Sequence, residues 1–311
     1  MRLISYRHQD KNGVGVMVDE EGFVALSLAS PELPDTLRGI LNLKDGLAMA
    51  KEAAKGRQAD LNLSEVTLLP VIPEPNAIWA LALNYTKHLE ETGLTTSPDY
   101  PHIFLRQHIS QVGHRQPLIC PPPEVARAYD YEGELAVIIG KGGRHIPVEK
   151  ALEHVAGYSI YNEGSVREFQ SHNRQFGLGK NFEASGSFGP WLMTPDEFGD
   201  PYDQEIIVRL NGGLRQKAKI SGMNFKIEQI INYLSTGYVL RPGDVIVSGD
   251  PGQIDLPPEE AAATLANHVG PIKYPGVIHM KPGDTIEVEV TGLGILENKV
   301  IEDGPVEYRV M

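Results

Sequence analysis

The segment Tyr129-Asp130-Tyr131-Glu132-Gly133-Glu134-Leu135 sets three carboxylates at alternate positions. Side chains two apart on a strand project to one face, so Asp130, Glu132 and Glu134 form an acidic row on an extended backbone. Carboxylates this close repel unless water screens them or a cation sits among them. A solvated strand face fits the spacing as well as a cation site does. The apolar run at 135–139 tips the reading toward burial, and a buried acidic row needs a cation. All-oxygen ligation suits Mg2+, Mn2+ or Ca2+ rather than zinc.

A second segment, Asn84-Tyr85-Thr86-Lys87-His88-Leu89-Glu90-Glu91, puts His88 and Glu91 three apart, where they meet if it is helical. A carboxylate beside an imidazole fixes its tautomer and strengthens it as a base. The same spacing is more often a surface pair. Lys180 follows Gly177-Leu178-Gly179, but the GxxxxGK[ST] spacing of a phosphate loop is missing. Taken singly it reads as a solvated lysine. Cys120 is the one cysteine, which excludes an internal disulfide and leaves no second thiol for a metal or redox motif.

These residues need elements to hold them. LISYRH, GVGVMVD and GFVALSL are short β-prone runs parted by Lys11-Asn12-Gly13 and by Asp19-Glu20-Glu21-Gly22. Residues 37–56 carry Leu and Ala at helical spacing, broken at Gly46. Residues 1–70 therefore read as a small β-rich domain with a helical appendage. Pro70, Pro73 and Pro75 mark the boundary to a second domain over 71–311. There, strands are predicted at 76–83, 135–140, 205–210, 244–248 and 285–290, with a hairpin turn at Asn211-Gly212-Gly213. Helices are predicted at 148–155 and at 227–235, the latter with Ile227, Ile230, Ile231 and Leu234 on one face. The whole is an α+β chain built on large, mainly antiparallel sheets.

The 311 residues carry a formal charge of −13, so no diffuse basic surface is available for nucleic acid or an anionic membrane. No stretch approaches the roughly 20 apolar residues of a membrane helix, and the start has no apolar leader pattern. The cytoplasm is the expected location.

In order, Asn84–Glu91, Asp130–Leu135, Asn162–Gln170, Gly179–Phe182, Gly189–Trp191, Asn211–Gln216 and Pro242–Pro251 resemble the motif series of the fumarylacetoacetate hydrolase family. That series runs NYxxHxxE, DYExEL, NDxxxRxxQ, GK-[FG]-F, GPW, NG-x-xRQ and PGDxIxxGTP. The resemblance implies a catalytic domain built as a mixed β-sheet roll, a homodimer, and metal-dependent chemistry on a small 2-oxo acid. By position it implies Glu132, Glu134 and Glu163 as ligands of Mg2+, alternatively Mn2+ or Ca2+. It implies His88 and Glu91 as an acid/base pair on a lid, and residues 91–100, with Gly93 and Pro98, have the composition of a hinge for it. It implies Lys180 facing a substrate oxygen, and Arg106 and Gln216 in the pocket.

The resemblance also has departures. Glu163 stands where the family usually has aspartate. Asp250 replaces the threonine of the GTP turn, and an ionised Asp repels a carboxylate that a hydroxyl would hold. Either the turn is rearranged, with Gln253 as donor, or the substrate presents a hydroxyl, amide or ammonium to Asp250. A long stretch over 254–279 either shapes the pocket or runs over the surface. The implied reaction is hydrolytic carbon–carbon cleavage of an acylpyruvate-type 2,4-dioxo acid. Decarboxylation, keto–enol isomerisation and hydration or dehydration of 2-oxo acids suit the same site. A noncatalytic metal-binding protein is the reading from another class, opposed by the presence of His88, Glu91 and Lys180 together.

Overall fold

The computed structural model describes residues 1–91, 96–253 and 278–304, with the side chains of 89–91 outside the description. Two sheets carry the architecture. The larger runs from Leu61–Asn62, Gly22–Ala25, Lys11–Met17 and Arg2–His8 through Gly186–Met193, Val155–Asn162 and Gly133–Ile139. It ends on Val245–Val247, Ile78–Ala82 and His102–Arg106. The smaller orders Gly213–Lys219, Glu205–Leu210, Thr285–Val290, Gly294–Glu302 and Leu118–Cys120. Most pairings are antiparallel; Val245–Val247 runs parallel to Ile78–Ala82.

Gly133–Ile139 is buried at every position, as its unbroken apolar run demands. Its partners on either side are Val155–Asn162 and Val245–Val247. The two sheets approach closely at Gly133, where a Cβ would lie 2.3 Å from Val208 Cγ2. The hairpin at Asn211 and Gly212 has φ of 53° and 77°, the left-handed pair that a tight two-residue connection requires. Ile227–Gly237 buries the predicted stripe of Ile227, Ile230, Ile231 and Leu234.

Arg2–His8 pairs with Gly186–Met193, with Leu3 opposite Leu192, so sheet hydrogen bonding continues across the division drawn at residue 70. Local expectations change in three places. GFVALSL is extended only to Ala25 and turns helical over Leu26–Ala29, because the Asp60 carboxylate takes the Ala25 N–H and ends the ladder. Residues Val148–His154 form a 3₁₀ helix rather than an α-helix. Asp130 and Glu134 do not share one strand: Tyr129–Asp130 pairs with Ser165–Val166, and a separate strand starts at Gly133. No helix of the described residues is long and apolar enough to cross a membrane.

Candidate active site

Strand pairing assembles the carboxylates. Gly133 lies opposite Asn162, so Glu132 and Glu163 emerge at the same end of neighbouring strands. The Glu163 N–H donates to the Glu132 carbonyl at 2.8 Å, and the Asn162 side chain accepts the Glu132 N–H at 3.2 Å. Glu134 projects from the strand itself. Carboxylate oxygens of Glu132, Glu134 and Glu163 lie within 4.8 Å of one another, and all three residues are buried. Glu134 Oε2 accepts the Gly249 N–H at 2.5 Å, while Glu134 Oε1 and Glu163 Oε1 have no hydrogen-bond partner. Two buried carboxylate oxygens without hydrogen-bond donors, within a cluster of three carboxylates, fit a hard divalent cation.

Asp130 leaves this group. It ion-pairs with Arg167 at 2.6 Å and accepts the Tyr131 N–H, so the acidic row contributes two carboxylates and the neighbouring strand the third.

Lys180 Nζ bonds Glu132 and reaches Glu163 Oε2 at 2.7 Å, and Arg167 Nη1 meets Glu132 Oε1 at 2.5 Å. Burial pushes Glu132 up, but Arg167 and Lys180 more than reverse this and hold its carboxyl well below the usual range. For Glu134 the pull of Lys180 is outweighed: burial, then Glu163 and Glu132, drive it well above the ordinary value. Burial also lifts Glu163 to about 7 against the pull of Lys180 and Arg106. Lys180, Arg167 and Arg106 thus bear on Glu132 and Glu163, whereas Glu134 is flanked chiefly by like charge.

These groups open on a cleft of about 510 Å3 lined by Glu132, Glu163, Lys180 and Arg167, and also by His88 and Asp250. His88 rides on the helix Thr86–Glu91. Asn84, just before that helix, donates to the carbonyls of Ser248 at 2.8 Å and Phe225 at 3.2 Å and accepts the Phe225 N–H. It thereby ties the helix start to the turn that carries Asp250. His88 Nε2 lies 3.6 Å from Asp250 Oδ1. Asp250 Oδ2 accepts from Gln216 Nε2 at 2.8 Å and from the Gly252 N–H at 3.1 Å. Burial raises the Asp250 carboxyl above the ordinary value, opposed chiefly by His88.

The structure therefore brings Glu132, Glu134, Glu163, Lys180, His88 and Asp250 together. Arg106 is buried behind Glu163, with Nη1 on the Gly164 carbonyl and Nη2 on Ser110 and Ser185, and does not line the cleft. Gln216 is fully buried behind Asp250 and joins it to the Gly133 N–H. Gln253, half-buried beside the turn, is also absent from the lining. The Glu91 side chain, residues 92–95 of the expected hinge, and 254–277 of the long stretch lie outside the described residues.

Sequence reasoning gave no role to Arg167 or to the wall formed by Gln170–Arg174. Their signal was the Arg167-x-x-Gln170 spacing: on one helical turn Arg167 Nη1 donates to Gln170 Oε1 at 2.8 Å.

A buried three-carboxylate cluster at the end of paired strands, sharing a cleft with a lysine and an imidazole, is the site of an enzyme of the class its motifs resemble. The family description fumarylacetoacetate (FAA) hydrolase C-terminal matches residues 77–301, and the chain belongs to this family. It is 32% identical over 307 residues to the oxaloacetate tautomerase FAHD2A, mitochondrial, of Homo sapiens, covering 97% of this chain and 92% of that protein. It is 31% identical to the oxaloacetate tautomerase YisK of Bacillus subtilis, over 92% of this chain and 95% of that one. Among solved structures it is similar to the maleylpyruvate hydrolase of Sphingobium sp. SYK-6 in complex with manganese(II) and pyruvate. The TM-score is 0.75 and the identity 27%, over 98% of this chain and 100% of that one.

Proposed function

We propose that this protein is a divalent-metal-dependent enzyme interconverting the keto and enol forms of a small 2-oxo dicarboxylic acid of the oxaloacetate class. The observation that carries this reading is the cleft shared by the His88–Asp250 pair and the Glu132, Glu163 and Lys180 cluster. Enolisation needs a base for the C3 proton and positive charge where the C2 oxygen becomes anionic, and needs no attacking water.

Glu132, Glu134 and Glu163 would hold Mg2+ or Mn2+, which supplies Lewis-acid polarisation of the 2-oxo group. His88 takes the proton from C3 as the C–H electron pair becomes the C2=C3 double bond and the C2=O pair moves onto oxygen. Lys180 donates a proton to that oxygen, and the proton held by His88 passes through water to restore Lys180, so that no net proton is gained or lost. Arg167 and Arg174, on the cleft lining, place positive charge beside the substrate carboxylates. The names of the similar full-length relatives support this order of preference. A catalytic domain over 71–311 with a small N-terminal domain over 1–70, a homodimer and a cytoplasmic location belong to the same reading.

A second reading, hydrolytic carbon–carbon cleavage of an acylpyruvate, is favoured by the likeness to maleylpyruvate hydrolase. There His88 would deprotonate a water instead of C3. The test is to supply the purified protein with Mn2+ or Mg2+ and follow the enol absorbance of oxaloacetate, with pyruvate release from acylpyruvates in parallel. Metal-dependent acceleration of enol decay that His88→Gln abolishes supports the first reading. Pyruvate release without that acceleration gives the second, and neither activity overturns both.

A further inference from the structure

The Asp250 carboxylate is held by one edge. Gln216 is fully buried, and its Oε1 must meet the Gly133 N–H, so its Nε2 necessarily points at Asp250. The Gly252 N–H donates to the same oxygen, Oδ2. Both hydrogen bonds described for this carboxylate fall on Oδ2, and Oδ1 turns toward His88 Nε2 at 3.6 Å. A small rotation of the imidazole closes that gap to hydrogen-bond length, as happens when catalytic pairs tighten around substrate. A threonine here, as the family pattern has, offers a single uncharged oxygen, whereas the carboxylate turns one oxygen to Gln216 and the other to His88.

We infer that Asp250 is the positioning residue for His88: it accepts the Nε2–H, fixes that tautomer, and makes Nδ1 the basic atom. The tautomer stands independently of the proposed reaction, whereas the use of Nδ1 as a base rests on it. The departure at Asp250 then brings a carboxylate, from a turn distant in sequence, to His88 Nε2.

The test reads the tautomer directly. Nitrogen-15 NMR of the histidine-labelled protein, at a pH where the imidazole is neutral, shows which ring nitrogen of His88 bears the proton, with His88→Gln assigning the signal. In Asp250→Asn the side-chain oxygen must stay with the Gln216 and Gly252 donors, so the amide NH2 faces His88 and donates to Nε2. The expected results are an Nε2–H in the wild type, an Nδ1–H in the variant, and a kcat lowered roughly 100-fold with KM little changed. A wild-type proton on Nδ1, or one tautomer in both proteins, overturns the inference. Should the Asn variant fail to fold, Asp250→Ala removes the acceptor instead. The Nε2–H signal then broadens by exchange with water, and a signal as sharp as the wild type's overturns it equally. Because the NMR result needs no turnover, failure of the tautomerase assay and failure of this inference are separate outcomes.

Discussion

Lys180 Nζ and Glu163 Oε2 lie 2.7 Å apart with both side chains almost wholly buried, the lysine also bonded to Glu132. A buried pair of this kind is costly to break from one side, because the remaining charge loses its partner. Lys180 thus both neutralises the cluster and faces the cleft. Lys180→Met should lower turnover by about 100–1,000-fold, the scale of losing one donor to a developing oxyanion. It should also destabilise the metal-free protein by about 3 kcal/mol or more. Added Mn2+ should recover part of that stability, measurable by denaturant titration with and without the ion. A Lys180→Met protein as stable as the wild type without metal contradicts the assignment.

Glu134 tests the cation site without any assay of turnover. Among the described residues its Oε1 is buried without a donor, and no lysine or arginine side chain bonds it. Saturating Mg2+ or Mn2+ should stabilise the wild type by roughly 2.7 kcal/mol at a hundredfold excess over Kd. Glu134→Gln keeps the acceptor for the Gly249 N–H while removing the charge. It should leave the metal-free melting temperature unchanged or higher and abolish the rise on adding metal. A full rise in Glu134→Gln places the ion elsewhere.

His114 gives a pH signature remote from the cleft. Burial, and secondarily Arg115, depress its imidazole to about 4, and neutral Nδ1 accepts the Glu297 N–H at 3.0 Å. Between that value and the ordinary value near 6.5, the unfolded chain binds the proton and the folded chain does not. The stability it contributes is present above about pH 6.5 and lost as pH falls toward 4, on the order of 2–3 kcal/mol. His114→Asn retains an acceptor and cannot titrate. The wild type should therefore lose stability relative to it over that window, and parallel pH profiles would show that His114 is not the source.

Gly164 follows Glu163 at the point where two chains touch: a Cβ there would lie 1.6 Å from the Ser185 carbonyl oxygen. Backbone cannot yield as a flexible side chain does, so Gly164→Ala should cost about 2–4 kcal/mol. It should also weaken metal binding by moving Glu163. Wild-type denaturation and a wild-type metal response in this variant would refute the close packing.

The sequence carries the site unevenly, and particular residues show why. Glu132 and Glu134 are legible from period-two spacing followed by an apolar run. The same rule miscarries at Asp130, because extended spacing assumes one continuous ladder and the chain changes partners at Tyr131. Glu163 could be placed only by resemblance, since a cross-strand register such as Gly133 opposite Asn162 leaves no local mark. The His88–Asp250 contact is of the same kind, made by a helix start and a turn far apart in the chain. The strands and the helix stripe at Ile227–Gly237 were readable because burial on one face repeats with a fixed period. The 3₁₀ character of Val148–His154 was not, since that pattern does not distinguish the tighter helix from an α-helix.

Asn84 reads the Phe225 N–H and the carbonyls of Phe225 and Ser248 at once, and so welds the entry of the His88 helix to the Asp250 turn. For protein engineering, this makes residues 84–88 and 248–253 a single cassette. A chimera that imports a threonine-bearing turn from a relative, while keeping this chain's helix, would mate two halves built for different partners. Substrate preference moved between family members by loop exchange should follow the paired graft and be lost in either half alone.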